Sequence, residues 1–179
     1  ELQIVNHLAK DPSVVVLTET TSNIHHPNFI PHIDTLITPF SDADFKAFQP
    51  DVLVTFGGMI VSKRIKSFLR SYQPEHHWHI DSLRAYNTFG CLKHHFKTTP
   101  QLFFEKFLVH VTYKESSYHQ HFLAVLNDRL MKHELFLSKI DFCDLKVFEL
   151  LATSFSDEIH LQISNSSAIR YAQLLKLNP

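Results

Sequence analysis

Glycine is scarce in this chain: three occur in 179 residues, and two of them, Gly57 and Gly58, are adjacent. With so few, no G-x-G-x-x-G or P-loop cradle exists, so neither a dinucleotide nor a nucleoside triphosphate is indicated. Cysteine is equally thin. Cys91 and Cys143 stand far apart with no C-x-x-C spacing, which reads as two reduced thiols in a cytoplasmic protein, not a disulfide or zinc framework. A basic excess is missing too: 17 Lys and Arg face 18 Asp and Glu, for a net charge of −1. Nucleic-acid binders need the opposite balance to neutralise phosphates. No apolar run approaches the ~18 residues of a membrane helix, and no signal-type segment opens the chain. The absence of G-x-S-x-G removes support for a serine hydrolase. What is present is a globular balance, 44% hydrophobic and 20% charged, with length for one domain and something more.

Hydrophobic patterning predicts alternating helices and strands. Residues 2–10 suit a helix stopped by Asp11-Pro12. Val14-Val15-Val16-Leu17 reads as a strand buried on both faces, followed by a polar loop over 19–26. A second short strand is expected over 33–37, and a helix over 41–48 with Ser41 as its cap. Val52-Leu53-Val54-Thr55-Phe56 is the clearest buried strand; Gly57-Gly58 ends it, and a helix over 62–72 follows with Ile65, Phe68 and Leu69 on one face. Strands are expected over 77–81 and 91–96, then a helix from Thr99-Pro100 to about 108, with proline at its first position. Beyond a polar stretch at 109–118, helices are expected over 118–138 and 145–155. A strand over 158–163 and a last helix opened by Asn165-Ser166-Ser167 follow. The pattern calls for a Rossmann-like α/β unit with a parallel sheet, and then a second α/β segment too short to close a sheet of its own.

Two motifs could carry chemistry. In Thr55-Phe56-Gly57-Gly58-Met59-Ile60-Val61-Ser62-Lys63-Arg64, a strand turns tightly into a helix start. The open N–H groups there attract an anion, and Lys63 adds a positive charge. By pattern alone, a plain tight turn with a solvated basic first turn is the better reading. In Ile163-Ser164-Asn165-Ser166-Ser167-Ala168-Ile169-Arg170, Ser164 or Asn165 can cap a helix, and Ser166 and Arg170 lie one turn apart. That suits a carboxylate held by a hydroxyl and a guanidinium, though ordinary capping with a surface arginine explains it as well. The chain also holds 14 histidines, including His25-His26, His76-His77-Trp78-His79, His94-His95, His119 and His121. They form no H-E-x-x-H or Cys/His framework, so a metal site is not expected. Phe103, Phe104 and Phe107 read as packing, since no basic groove accompanies them.

Four stretches taken together carry more than either motif alone. They are Val15-Val16-Leu17-Thr18-Glu19-Thr20-Thr21-Ser22-Asn23; the run from Val54 through Gly57-Gly58 to Ser62-Lys63; His77-Trp78-His79-Ile80-Asp81; and Leu161-Gln162-Ile163-Ser164-Asn165-Ser166-Ser167-Ala168-Ile169-Arg170. In this order they resemble the SEPHCHC synthase (MenD) family of menaquinone biosynthesis, in the version of Bacteroidetes-type bacteria. The resemblance implies an internal piece of a three-domain thiamine-diphosphate enzyme. Residues 1–108 would be its central domain, 109–117 a linker and 118–179 the incomplete opening of the pyrophosphate-binding domain. The family decarboxylates 2-oxoglutarate on thiamine diphosphate with Mg2+ (or Mn2+) and adds the succinyl unit to isochorismate.

By the same resemblance, Lys63 contacts the isochorismate side, and Ser166 and Arg170 hold the carboxylate of the oxoglutarate-derived succinyl group. No catalytic residue, cofactor-binding residue or metal ligand is expected here. The family's catalytic glutamate belongs to its first domain, and the Gly-Asp-Gly metal element has no counterpart in this chain. The isolated chain is therefore expected to be inactive and to bind no cofactor, while the parent assembles as a homo-oligomer, dimer or tetramer. A free-standing α/β domain that binds a small anion at the 57–63 turn is the alternative.

Overall fold

Strand and helix follow from where β-branched and aromatic side chains alternate and where a polar side chain satisfies the first N–H groups of a helix. The computed structural model describes residues 2–156 and 158–177. Two parallel sheets result: β1 (Val16–Leu17) pairs with β2 (Phe29–Ile30), and β3 (Val52–Phe56), β4 (His76–Ile80) and β5 (Leu92–Phe96) form a sheet in that order. Before, between and after them run α1 (Leu2–Leu8), α2 (Ile33–Ile37), α3 (Asp42–Ala47), α4 (Lys63–Ser71), α5 (Pro100–Phe107), α6 (Tyr118–Leu137), α7 (Asp144–Ser154) and α8 (Ser167–Ala172). This is the expected α/β class, with parallel strands flanked by helices.

Alternation along the strands sends side chains to opposite faces. On one face Leu53 meets the main core, in which Ile30 of β2, Leu36 of α2, Phe48, Ile65 and Phe68 of α4, and Phe122 and Leu126 of α6 pack together. On the other, α5 lays its aromatic stripe over the sheet. Phe104 sits 5.3 Å from Phe56, Phe103 4.7 Å from Phe96 and Phe107 6.0 Å from Trp78, centroid to centroid. The expected packing role of these phenylalanines is what the structure has.

Caps explain the helix starts. Ser41 accepts from the Asp44 N–H while the Asp44 carboxylate accepts from the Ser41 N–H, a reciprocal capping box. Thr99 accepts from Leu102, with Pro100 in the first turn. Ser62 accepts from Ile65. At the end of β3, Gly57 takes φ +82°, a left-handed value that glycine reaches without strain.

Several expectations need correction. Residues 33–37 form a helix, not a strand: the buried positions are Ile33, Leu36 and Ile37, an i, i+3, i+4 spacing that belongs to a helix. The second strand of the β1 sheet is instead Phe29–Ile30. Residues 158–163 make no strand, although Ile159, Leu161 and Ile163 alternate. Ile159 and Leu161 are about half exposed, and no strand among the described residues pairs with them. β3 lies at the edge of its sheet, so Val52 and Phe56 at its ends are exposed while its middle is half-buried. The helix after Asn165 is capped by neither Ser164 nor Asn165. Ser166 occupies the cap position, without a side-chain cap bond.

The 109–117 segment leads from α5 to α6, and α6 buries Phe122 and Leu126 in the same core as β2, α2 and α4. The packed core thus crosses the expected division at 118. Residues 157, 178 and 179 of the expected second segment lie outside the described residues. Val109, Met131, Leu135, Phe136 and Phe142 are exposed.

Candidate functional site

Glu19 is the residue around which the site is built. It lies two residues beyond β1, whose line is extended by a Thr18 N–H to Ile30 carbonyl bond, and has an extended backbone before the 3-10 turn Thr20–Ser22. From the carboxyl end of that strand its carboxylate crosses to the start of α4. It accepts the Val61 N–H at 2.6 Å and the Ser62 N–H at 2.7 Å, one on each oxygen. Ser62 is buried, and its hydroxyl donates to Asp34 of α2 while accepting from the Ile65 N–H. Lys66 donates to the Ile60 carbonyl at 3.1 Å.

The N–H groups of Val61, Ser62 and Ile65 at the start of α4 are therefore already served, from within the chain. This removes the main support for a small-anion site at the 57–63 turn, because Val61 and Ser62 have no N–H left to offer. Lys63 itself is the first residue of α4; its side chain is exposed, with no ion pair among the described residues.

Ser166 and Arg170 come from α8. Ser166 has φ 75° and ψ −130°, a region that non-glycine residues avoid at a cost of ~1–3 kcal/mol. Its N–H donates to the Asn165 side chain at 2.7 Å. Ser166 is exposed, whereas Arg170 is half-buried and makes no ion pair among the described residues. No hydrogen bond joins Ser166 to Arg170 among the described residues.

The helix is seated by Tyr171 against Phe148 of α7, 5.4 Å between rings, and by two histidines. The His32 ring meets the Gln173 carbonyl at 3.3 Å and the His133 ring meets the Leu174 carbonyl at 3.0 Å. Burial holds His32 below the usual histidine pKa, opposed in part by that bond to Gln173.

The two segments meet at a packed seam that has no room for a water molecule and that none of Lys63, Ser166 and Arg170 lines. Ser62, beside Lys63, and Gln173, one turn beyond Arg170, line it together with Glu19, Asp34, Pro31 and Ile33. Sequence positions more than 100 apart are thereby brought to one edge of the fold, at the carboxyl end of β1. The approach goes no further: no hydrogen bond or ion pair joins Lys63 to Ser166 or Arg170 among the described residues. Glu19, Asp34 and Gln173 were not singled out from sequence. Only long-range contacts reveal them, although Glu19 stands inside the first of the four family-like stretches.

The histidines have structural partners. The Thr55 hydroxyl lies 2.8 Å from both His77 Nε2 and His79 Nδ1. A hydroxyl with one proton can donate to one ring and accept from the other. His77 is buried, and desolvation, with His79 beside it, lowers its pKa to about 4, so it stays neutral at ordinary pH. His79 is lowered as well, by burial first. His95 meets the Asp81 carbonyl at 2.8 Å, and His119 meets the Asn28 carbonyl at 3.0 Å. No three His, Cys, Asp or Glu side chains converge to hold a metal among the described residues. No step through thiamine diphosphate is derived for this chain. Among the described residues no helix is long and apolar enough to cross a membrane.

Comparison with known proteins gives the same direction. Residues 1–163 match the family described as "Middle domain of thiamine pyrophosphate". The chain is 56% identical over 176 residues to the 2-succinyl-5-enolpyruvyl-6-hydroxy-3-cyclohexene-1-carboxylate synthase of Flavobacterium johnsoniae, covering 98% of this chain and 32% of the relative. The enzymes of the same name from Flavobacterium psychrophilum and Christiangramia forsetii are 53% and 47% identical, again over 98% of this chain and over 32% and 31% of their own lengths. The chain thus spans about a third of the length of these relatives. By its strands, its helices and this match, the chain belongs to the thiamine pyrophosphate enzyme middle-domain family, in company with relatives named SEPHCHC synthase.

Proposed function

We propose that this chain is the part of a SEPHCHC synthase that bears on the substrates, within a longer thiamine-diphosphate- and Mg2+-dependent enzyme of menaquinone biosynthesis. The longer protein decarboxylates 2-oxoglutarate and joins the succinyl unit to isochorismate, working as a homo-oligomer. In this reading Lys63 faces the isochorismate carboxylates. Ser166 and Arg170 grip the remaining carboxylate of the 2-oxoglutarate-derived unit through a charge-assisted pair of bonds. The elements of the following pyrophosphate-binding domain begin beyond α6, since α6 shares the core of the middle domain.

The observation that carries the reading is the match to relatives of that name over 98% of the chain, 56% identical in the Flavobacterium johnsoniae enzyme; the packing of Ser62 near Gln173 brings the two motif-bearing segments to one seam. A strained Ser166 next to an Arg170 without an ion pair adds to it. Both substrates are carboxylates, and cationic and hydroxyl side chains such as Lys63, Arg170 and Ser166 are the groups that bind carboxylates.

The test is turnover by the full-length protein supplied with thiamine diphosphate, Mg2+, 2-oxoglutarate and isochorismate. CO2 release and isochorismate consumption in equal amounts are expected, with loss of both when thiamine diphosphate is left out. Consumption of neither substrate would overturn the reading.

A further inference from the structure

We propose that Glu19 is a positioning residue for substrate recognition, acting through Lys63; the proposal rests on the reading of Lys63 as the isochorismate-side contact. The loop from Gly57 to Ser62 enters its turn loosely: Gly57 and Gly58 are exposed, and Met59 is 84% exposed. Left to itself, a loop of this kind would deliver Lys63 in many orientations. It is instead fixed over its last three residues. Lys66 holds the Ile60 carbonyl, the Glu19 carboxylate takes the Val61 and Ser62 N–H groups, and Asp34 takes the Ser62 hydroxyl.

Lys63 is the next residue, so its backbone is fixed by contacts that never touch its own side chain. The two Glu19 bonds, at 2.6 and 2.7 Å, have the short lengths of bonds to an ionised acceptor. They reach across 42 and 43 positions of sequence, from the carboxyl end of β1 to the start of α4. An ordinary cap needs only a local side chain, and α4 already has one in Ser62. Glu19 is thus additional to what starting the helix requires.

Its chemistry is also specific to a carboxylate. Both oxygens accept, and an amide at the same place would turn an NH2 donor against one of the two N–H groups. Glu19→Gln keeps size and shape while removing half of the clamp. Misplacement of a substrate-facing group by about 1 Å costs up to about 100-fold in rate constant.

The experiment uses the full-length protein and compares wild type, Glu19→Gln, Lys63→Ala and the double variant. For Glu19→Gln, the KM for isochorismate is expected to rise roughly 10- to 100-fold. The rise in the KM for isochorismate should exceed any change in the KM for 2-oxoglutarate. The double variant should be no worse than Lys63→Ala alone, because a residue that acts only through Lys63 has nothing left to position. A residue that merely stabilised the fold would add its loss to that of Lys63→Ala, or move both KM values together; either result overturns the proposal. So does an unchanged KM for isochorismate in Glu19→Gln beside a raised one in Lys63→Ala, which leaves the functional reading intact. A Lys63→Ala variant with wild-type kinetics would overturn the positioning role and the role of Lys63 together. If Glu19→Gln does not fold, Asp34→Asn loosens Ser62 from the opposite side and is read against the same outcomes.

Discussion

Replacing Arg170 by alanine in the full-length protein is expected to lower kcat/KM for 2-oxoglutarate by roughly 30- to 1000-fold. Removing a hydrogen-bonded charged partner of a carboxylate costs about 2–4 kcal/mol, and every 1.4 kcal/mol is about tenfold. Arg170 is half-buried, on a helix whose seat does not depend on its guanidinium: Tyr171 on Phe148, and the His32 and His133 contacts to the Gln173 and Leu174 carbonyls, hold it in place. The loss should therefore fall on substrate recognition and not on folding. Arg170→Lys keeps the charge but not the two-pronged geometry, and should recover only part of the loss. The check is steady-state kinetics in each substrate. A 2-oxoglutarate KM and kcat equal to wild type would remove Arg170 from the site.

Phe122→Ala should have the largest effect on stability, about 3–5 kcal/mol, the cost of emptying a well-packed aromatic site. Phe122 is 4% exposed, with its ring 4.3 Å from that of Phe48 and edge-on to it, and 5.0 Å from that of Tyr118. It joins α6 to the core built on β2, α2 and α4. A domain has only about 5–15 kcal/mol to lose. Urea unfolding of the chain should show a much lowered midpoint for Phe122→Ala and almost no change for Phe142→Ala, whose side chain is 80% exposed. Equal midpoints for the two variants would mean that α6 does not belong to the middle-domain core.

Local chemistry made much of the fold legible. Val52-Leu53-Val54-Thr55-Phe56 is bounded by Pro50-Asp51 and Gly57-Gly58, so its limits as a strand were sharp; Ser41 and Thr99-Pro100 mark helix starts by mechanisms confined to a few residues. Ile33–Ile37 misleads because it is short and rich in β-branched residues, so the helical spacing of Ile33, Leu36 and Ile37 is easily read as a strand. Residues 158–163 mislead for the opposite reason: their alternation is real, but a strand forms only beside a partner. The site divides in the same way. Lys63, Ser166 and Arg170 stand out in sequence because each lies next to a turn or helix start, and their proposed roles rest on the family resemblance. Glu19 does not, because its importance lies in bonds to residues 42 and 43 positions away, which no periodicity announces. The histidines read as an unresolved cluster until the structure joined His77 and His79 to the Thr55 hydroxyl.

In the proposed function this chain carries contacts to the substrates and none to the cofactor. Calorimetric titration of thiamine diphosphate with Mg2+ into the isolated 179-residue chain should then give heats of dilution only, against saturable binding by the full-length protein. Saturable, stoichiometric binding to the isolated chain would sink the proposal.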